Sequence, residues 1–372
     1  MATATDADAR YIAAACALAR RGLGRVWPNP AVGCIVLDAG GRVAGRGWTR
    51  PGGRPHAETE ALAAAGPRAR GGTAYVTLEP CSHHGETPPC ADALVKAGIR
   101  RVVAPLSDPD PRVRGAGFQR LRAAGIEVVE GVGRREAEAI NEGFFHRVRS
   151  GRPFVALKTA TTLDGRIATI GGESQWITGE AARARGHLLR AQFDAIMIGV
   201  GTAAADNPTL TCRLPGLEGR SPVRIVVDGR RRLPLTSKLV ATACKQPTWL
   251  VTLEGNHDAR LQAFTGAGVE IVEVKADLTG QPDLTLAMTR LADRGLTRIL
   301  VEGGGHLTAA LLRDRLIDRI YWFRSAAIIG GDGMPAAAPF GVDRLSAMAR
   351  FERDEVVAVG PDQLEIYSCL KG

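Results

Sequence analysis

The stretch TAYVTLEPCSHHGETPPC, which runs from Thr73 to Cys90, decides how the first part of this chain folds. Its first six residues, Thr73 to Leu78, predict a buried β-strand, because they are apolar, aromatic or β-branched and carry no charge. The strand would deliver Cys81 to a turn, and eight residues separate that cysteine from Cys90. The stretch therefore predicts two thiols held beside the end of a strand.

A second stretch, Pro55-His56-Ala57-Glu58, lies a short distance upstream. The apolar run from Ala57 to Ala65 predicts a helix that His56 opens. His56 and Cys81 would then lie near helix N-termini, where the positive end of the helix dipole favours a thiolate.

One imidazole, two thiolates and a separate carboxylate are the groups of a catalytic zinc site. His56, Cys81 and Cys90 would be three zinc ligands and leave a fourth position for water. Glu58 would remain unbound and move protons between that water and a departing amine. This arrangement is typical of zinc-dependent deaminases. The alternative is that the cysteines are only buried packing residues, as free thiols often are.

Composition limits the classes of protein to which the chain can belong. Its 372 residues allow two domains, and 45% hydrophobic with 23% charged residues is ordinary for a globular protein. No apolar run reaches the roughly 18 residues that a membrane span needs, and we expect no secretory signal at the start of the chain. The seven cysteines are scattered and odd in number, which favours a reducing cytoplasm.

The net charge of +9 comes almost entirely from arginine, because only six residues are lysine. Arginine pairs bidentately with phosphate, so the excess favours small phosphorylated ligands, although most of these side chains are expected to be solvated. Aromatic residues make up only 5% of the chain and are not interleaved with basic ones. We therefore expect neither a nucleic acid nor a membrane as a partner.

The chain is predicted to form two α/β domains, residues 1–148 and 154–372, joined by a short linker at 149–153. Predicted strands alternate with helical stretches on both sides of the linker. Those before it lie near 32–37, 43–48, 73–78, 101–104 and 126–129. Those after it lie near 154–160, 194–198, 223–227, 248–252, 269–274, 298–301, 318–324 and 363–370.

On its motifs, the first domain resembles the deaminase domain of the bacterial bifunctional riboflavin-biosynthesis deaminase/reductases. The residues that carry the resemblance are Pro28-Asn29-Pro30-Ala31-Val32-Gly33, Pro55 to Glu58, and Thr77 to Cys90. Editing deaminases have two residues between their cysteines, whereas this chain has eight, as in the riboflavin family. The resemblance implies a three-layer, cytidine-deaminase-like fold.

By position, the resemblance makes His56, Cys81 and Cys90 the zinc ligands and Glu58 the proton shuttle. It places Asn29 opposite the pyrimidine, where an amide can read a base edge with both donor and acceptor. A plain turn residue between two prolines is the alternative for Asn29. One of His83 and His84 is expected to contact substrate and the other to be exposed, with His83 taken as the contact, while Glu79 is expected to be structural.

Two positions of the first domain depart from the family pattern. Glu86 stands where relatives often carry a basic residue, and Thr49 stands where some carry histidine. If those positions hold the substrate phosphate, this chain must hold it differently, through Arg50 or Arg54.

In the second half, Gly199-Val-Gly201-Thr-Ala-Ala204 follows an apolar strand, and Asp228 ends another, as in a Rossmann dinucleotide site. However, Asp206-Asn207-Pro208 would end the helix too early. The acidic residue would also discriminate against a 2′-phosphate. A lone glycine pattern of this kind is weak without its strand and helix context.

Four markers of residues 153–372 instead resemble the reductase domain of the same bifunctional family. They are Lys158 to Arg166, Gly172 to Thr178, Gly201 to Arg213, and Val301 to Gly305. The resemblance implies a dihydrofolate-reductase-like fold that uses NADPH. The glycine turn at its end would let backbone N–H groups approach phosphate at a helix N-terminus.

Site residues of the second domain follow from the same resemblance. It implies NADPH contacts from one set: Ala160, Trp176, Thr202, Asp206, Gly304 and Gly305. It implies substrate contacts from another: Ser174, Arg190, Leu210, Arg213 and Glu302. Arg190 and Arg213 would clamp the ribose 5′-phosphate. Trp176 could instead be a core aromatic, and Asp206 is the residue expected to donate the proton.

Together the two resemblances imply an α/β chain that performs two consecutive steps of riboflavin synthesis. Zinc would serve the deamination of 2,5-diamino-6-(5-phosphoribosylamino)pyrimidin-4-one, and NADPH the reduction of its ribosyl side chain to ribityl. One alternative is a nucleoside or tRNA deaminase fused to an unrelated reductase. Another is a zinc-binding regulatory module that catalyses nothing. We expect a cytoplasmic homo-oligomer, either a dimer or a tetramer, that acts on a small phosphorylated pyrimidine.

Overall fold

Short apolar strands alternate with helices through most of the described residues, as the sequence predicts. The computed structural model describes residues 4–83, 88–111, 113–255 and 258–370. The chain divides into two units, Met1–Gly151 and Arg152–Gly372, each with its own sheet and core. None of the helices in the described ranges is both long and apolar enough to cross a bilayer.

The described residues of the first unit form a five-stranded sheet in the order β2-β1-β3-β4-β5. The strands are β1 Gly33–Leu37, β2 Val43–Trp48, β3 Thr73–Val76, β4 Arg101–Ala104 and β5 Glu127–Glu130. The helices are α1 Asp6–Ala19, α2 Ala57–Ala65, α3 Cys90–Lys96, α4 Ala116–Ala123 and α5 Arg134–Ser150. Strand β1 is antiparallel to its neighbours, whereas β3, β4 and β5 are parallel, so their carboxyl ends meet at one edge.

Two glycines let helices approach opposite faces of this sheet. A Cβ on Gly33 of β1 would lie 1.9 Å from the carbonyl oxygen of Ala15 in α1. A Cβ on Gly45 of β2 would lie 2.0 Å from the carbonyl oxygen of Ala61 in α2. Gly45 pairs with Val36, three residues after Gly33, so the two glycines face opposite sides. The sheet is therefore the middle of three layers.

Helix α1 is tied to the sheet by the buried carboxylate of Asp8. The side chain of Thr5 caps the helix, and Asp8 accepts two hydrogen bonds from Arg101 of β4, at 2.7 and 3.0 Å. It also accepts one from the hydroxyl of Tyr75 on β3, at 3.0 Å. Burial opposes ionisation, but the bonds from Arg101 and Thr5 hold the pKa of Asp8 well below its usual range.

The described residues of the second unit form a nine-stranded sheet in the order β11-β10-β9-β8-β12-β6-β13-β16-β15, with a separate β14-β7 pair. The strands are β6 Phe154–Thr161, β7 Arg166–Ala168, β8 Ala195–Gly199, β9 Val223–Val227, β10 Thr248–Leu253, β11 Glu270–Val274, β12 Arg298–Val301, β13 Arg319–Arg324, β14 Met334–Pro335, β15 Phe351–Val359 and β16 Asp362–Cys369. The helices are α6 Glu180–Gln192, α7 Val200–Asp206, α8 Lys238–Ala241, α9 Ala259–Gly266, α10 Leu284–Asp293 and α11 Gly305–Arg313. The seven strands from β11 to β13 are parallel, and β16 and β15 continue the sheet antiparallel.

The Rossmann alternative does not hold in this sheet. Helix α7 ends at Asp206, and Asn207 after it adopts the left-handed conformation with φ of 39°. Asp228, which a dinucleotide site would need at the ribose, is buried and accepts the backbone N–H of Leu233 at 2.7 Å. That carboxylate holds a turn and is not presented to a ligand.

Candidate active sites

Three metal-binding side chains converge at one end of the first unit. His56 is the N-cap residue of α2, and Cys90 is the first residue of α3. The His56 Nδ1 atom lies 3.3 Å from the Cys90 sulfur and 3.8 Å from the Cys81 sulfur. All three donor atoms lie within 4.8 Å of one another. Cys81 lies in an irregular segment, but its sulfur accepts the backbone N–H of Cys90, the first residue of α3, at 3.3 Å, so it lies at a helix N-terminus as expected.

The spacing of these donors fits a zinc ion. Bonds of about 2.3 Å to sulfur and 2.0–2.1 Å to nitrogen put tetrahedral ligands about 3.5–3.8 Å apart. The two distances from His56 are close to that range. Hydrogen bonds from Cys90 and His56 lower the pKa of the Cys81 thiol to about 4 although burial opposes this, so a thiolate is available. Three donors of this kind leave one corner of the tetrahedron for a small ligand.

Glu58 lies beside this cluster and is almost completely buried, with 4% of its surface exposed. It lies in the first turn of α2, two residues after His56. Burial raises the pKa of Glu58 to about 7, and the nearby imidazole of His56 pulls it in the opposite direction. A carboxyl group with such a pKa can both accept and release a proton at neutral pH.

A cavity of about 460 Å³ opens in front of these residues. This volume lies within the range of about 300–1,000 Å³ that is usual for small-molecule sites. Both residues expected to contact the pyrimidine, Asn29 and His83, line the cavity, as does Thr49. The amide of Asn29 packs on Gly53, where a Cβ would lie 1.9 Å from the Asn29 nitrogen. His84 and Glu86 lie outside the described residues.

Glu79 shapes the wall of this cavity from behind. One of its carboxylate oxygens accepts the Ser107 hydroxyl at 2.7 Å and the N–H groups of Asp108 and Gly115 at 3.0 Å each. The other accepts the N–H groups of Gly117 and Phe118 at 2.9 and 3.3 Å. Glu79 is 3% exposed. Its role is therefore structural, as expected, and it fixes the segment that follows β4.

Sequence reasoning missed four residues that line the cavity: Asp108, Asp110, Phe144 and Arg147. Burial raises the pKa of Asp108 to about 6. A signal for Asp108 and Asp110 was available, because both follow the carboxyl end of β4, at the edge where Cys81 follows β3. Phe144 and Arg147 carry no such signal, since α5 reaches the cavity only through the tertiary fold.

In the second unit, a buried ion-pair cluster lies at the carboxyl ends of the parallel strands. Arg190 of α6 donates two hydrogen bonds to Glu302, at 2.7 and 2.8 Å, and a third to the Thr211 carbonyl at 3.0 Å. The Lys158 ammonium lies 3.9 Å from the same carboxylate. Burial opposes ionisation of Glu302, yet Arg190 and Lys158 lower its pKa to about 2.

This cluster changes what is expected of Arg190. Its guanidinium fork is bound to Glu302, so a phosphate clamp would rest more on Arg213, which is exposed. The pKa of His187 is lowered to about 4 by its burial and by the positive charges of Arg190 and Arg213. Sequence reasoning assigned no role to Lys158 or His187. A lysine at the end of an apolar strand, Phe154 to Lys158, was the available signal for the first.

Beside this cluster, the turn between β12 and α11 can accept an anion. Gly304 is the N-cap residue of α11 and provides no side-chain cap, so N–H groups of the first turn lack an intrahelical partner. Its own N–H is bonded to the Thr202 hydroxyl at 3.0 Å, which joins this turn to α7. Such a terminus fits the phosphates of NADPH. Thr202, Gly304 and Gly305 are thus brought together.

The remaining residues expected at the reductase site differ in exposure. Trp176 is 63% exposed, so the alternative that it is a core aromatic was wrong. The Arg183 guanidinium stacks 4.5 Å from its ring and donates to the Thr178 carbonyl, although only solvation was expected of Arg183. Leu210 is buried with a left-handed φ of 56°. The half-exposed residues are Ala160 and Ser174, and Asp206 is exposed.

Both halves of the chain are similar to known proteins. A family model described as the RibD C-terminal domain matches residues 153–364. Another, described as the cytidine and deoxycytidylate deaminase zinc-binding region, matches residues 5–106. The riboflavin biosynthesis protein RibD of Escherichia coli K12 is 41% identical over 368 residues, covering 95% of this chain and 97% of that protein. RibD of Aquifex aeolicus is 37% identical, with 96% and 97% covered.

Solved structures are similar over the same length. Acinetobacter baumannii RibD, form 1, has a TM-score of 0.87 at 36% identity, covering 98% of this chain and 99% of that one. A Thermotoga maritima structure has a TM-score of 0.84 at 35% identity, with 97% and 98% covered. The latter is described as a diaminohydroxyphosphoribosylaminopyrimidine deaminase/5-amino-6-(5-phosphoribosylamino)uracil reductase.

Proposed function

This chain belongs to the RibD family of bifunctional riboflavin-biosynthesis enzymes, and from that premise we propose which substrate it takes and which residues act on it. The predicted fold class is confirmed: a cytidine-deaminase-like domain precedes a dihydrofolate-reductase-like one. The chain is a zinc-dependent deaminase and an NADPH-dependent reductase. Full-length relatives that contain both halves argue against a nucleoside or tRNA deaminase fused to an unrelated reductase.

The substrate we propose for the first step is 2,5-diamino-6-(5-phosphoribosylamino)pyrimidin-4-one. We assign the deamination to residues 1–148 and the reduction to 154–372, although α5 continues to Ser150, two residues into the expected linker at 149–153. The observation that carries the proposal is the cluster of His56, Cys81 and Cys90 around one face of a cavity that also contains buried Glu58.

Deamination needs a nucleophilic water, a proton carrier and a fixed base. His56, Cys81 and Cys90 would hold the zinc ion, which would lower the pKa of a water molecule to about 7. Glu58 accepts a proton from the attacking water and returns one to the departing amine, so that ammonia leaves and a carbonyl remains. Asn29 holds the pyrimidine edge with its amide, and His83, which lines the same cavity, contacts the substrate.

Reduction needs an oriented cofactor and substrate. The cofactor supplies the hydride, while the protein sets its position relative to the opened ribose. We propose that Thr202, Gly304 and Gly305 hold the NADPH phosphates, with Ala160, Trp176 and Asp206 lining the rest of its site. For the substrate we propose one further set: Ser174, Arg190, Leu210, Arg213 and Glu302.

The proton that accompanies reduction can come from a group in the ion-pair cluster. Asp206 was the expectation from sequence, but it is exposed at the end of α7. Lys158 is a second donor that we propose, because burial lowers its pKa and so eases proton release. Its ammonium already lies 3.9 Å from the carboxylate of Glu302.

We also propose that the enzyme is a cytoplasmic homo-oligomer, either a dimer or a tetramer. All seven cysteines are free thiols, which suits a reducing compartment. Strand β15 lies at the edge of the nine-stranded sheet, and its Val356 is 47% exposed. After a charged run from Glu352 to Glu355, the strand ends in the apolar residues 356–359, whose partly exposed side chains favour contact with a second chain.

The proposed function is tested by supplying purified protein with the diaminopyrimidine ribotide, with and without NADPH. Ammonia should be released in both cases, and NADPH should be oxidised only as the deaminated product accumulates. Glu58→Gln should abolish ammonia release but still oxidise NADPH when given the deaminated ribotide directly. Release of no ammonia by the zinc-loaded wild-type protein would contradict the proposal.

A further inference from the structure

Two arginines line the deaminase cavity from different elements of the first unit. Arg54 lies in the segment that leads into α2, directly after the glycine on which Asn29 packs. Arg147 belongs to α5, where Phe144 and Val148 share its helix face and line the same cavity. Both arginine residues are half-buried.

Arg50 has a different position, although it precedes Arg54 by only four residues. Its Nε donates to Glu60 at 2.6 Å, and its guanidinium stacks 4.1 Å from the Trp48 ring centre. It is not among the residues that line the cavity. The sequence offered Arg50 and Arg54 as alternatives for holding the phosphate, and of these two only Arg54 lines the cavity.

The charges around the cavity limit where a phosphate dianion can lie. Asp108 also lines the cavity, and its carboxylate would repel a phosphate placed beside it. The charge of Glu79 is already satisfied by five donors, and His56 is committed to the metal cluster. Arginine forms paired, charge-assisted hydrogen bonds with phosphate oxygens.

We propose that Arg54 and Arg147 form the phosphate subsite of the deaminase cavity and thereby make the first step prefer a ribotide to the riboside. This inference rests on the proposed function, because it takes the phosphorylated pyrimidine as substrate. The pyrimidine then lies at the metal cluster beside Asn29, and the ribose phosphate extends towards the two guanidinium groups. Apolar Phe144 and Val148 flank Arg147 and limit the access of water, which strengthens the ionic contact.

The test compares ammonia release from the diaminopyrimidine ribotide and from its dephosphorylated riboside. Arg54→Gln and Arg147→Gln should each raise KM for the ribotide about 10- to 100-fold, which is the effect expected for a charge-assisted contact. Turnover of the riboside should change less than about threefold, because it makes no such contact. Arg50→Gln is the matched control and should leave both substrates at wild-type values.

A second measurement separates loss of the subsite from loss of folding. Ribose 5-phosphate should inhibit riboside deamination by the wild type, and this inhibition should weaken in Arg54→Gln and Arg147→Gln while zinc content stays at the wild-type level. Arg54→Lys and Arg147→Lys should recover part of the affinity for the ribotide. Variants that slow both substrates equally, or neither, would overturn the inference while the proposed function stands. A wild type that deaminates neither substrate would overturn both.

Discussion

Replacement of Glu79 by glutamine should loosen the first unit and spoil its active site together. One carboxylate oxygen accepts hydrogen bonds from two backbone N–H groups. The other accepts hydrogen bonds from two further N–H groups and from the Ser107 hydroxyl. A glutamine must turn its NH₂ group towards one of these sets, where donors would face donors. The change is therefore worse than the loss of a single hydrogen bond.

The size of the effect follows from the number of groups left unsatisfied. At least two buried N–H groups lose their acceptor whichever way the amide turns, and each costs about 1–3 kcal/mol. The expected destabilisation by Glu79→Gln is thus about 2–6 kcal/mol. For a domain of this size, about 2–4 °C of Tm correspond to each kcal/mol, so the transition should fall by about 4 °C or more.

Calorimetry of the whole chain measures this directly, with the first-unit transition identified as the one that a zinc chelator shifts. Glu130→Gln is the control, because its pair with Arg122 is solvent-exposed and should be worth at most about 1 kcal/mol. The segment that Glu79 holds carries Asp108 and Asp110, so KM for the deaminase substrate should also rise. A first-unit Tm within about 1 °C of wild type in Glu79→Gln would refute the reasoning.

Three further outcomes follow from the structure. Glu58→Gln should lower ammonia release about 10²- to 10⁴-fold, as removal of a general acid–base does, with zinc content unchanged in elemental analysis. Glu302→Gln leaves only one oxygen to accept the two hydrogen bonds that Arg190 donates to Glu302, so the Tm of the second unit in calorimetry should fall by several degrees. NADPH-dependent reduction should weaken in this variant, whereas ammonia release should persist. Asp8→Asn should make the free energy of unfolding depend less on pH in the acid range. The folded pKa of Asp8 lies below the unfolded value of about 3.9, so the contribution of Asp8 to stability is fully present above about pH 3.9. It is lost as pH falls from there through the folded pKa. Urea unfolding at pH 6 and pH 3 should therefore show a smaller difference between the two pH values for Asp8→Asn than for wild type.

Much of the fold could be predicted because its strands are buried on both faces and bounded by polar residues. The helix from Ala57 to Ala65 was predicted at its observed bounds, and β9 and β12 likewise. Strand β15 was missed because its side chains are mostly exposed and include a charged run, Glu352 to Glu355, without an apolar alternation. The β7 and β14 pair is too short to leave a pattern in the sequence.

The metal cluster could be proposed from sequence because its donors lie in compact motifs. The walls of the cavity could not, since they come from elements far apart along the chain. Arg147 reaches the site from α5, about ninety residues after His56, and no local pattern distinguishes it from Arg149. In the same way, the bidentate contact between Arg190 and Glu302 depends on how α6 packs beside β12.

The most direct test of the account is the zinc stoichiometry of the full chain, measured by elemental analysis together with ammonia release. Wild type and Cys244→Ala, which changes an exposed thiol, should bind one zinc per chain and release ammonia. Cys81→Ala and Cys90→Ala should lose both properties and still reduce the deaminated ribotide with NADPH. Retention of a full zinc equivalent and of ammonia release in either of these two variants would contradict the assignment of the metal site.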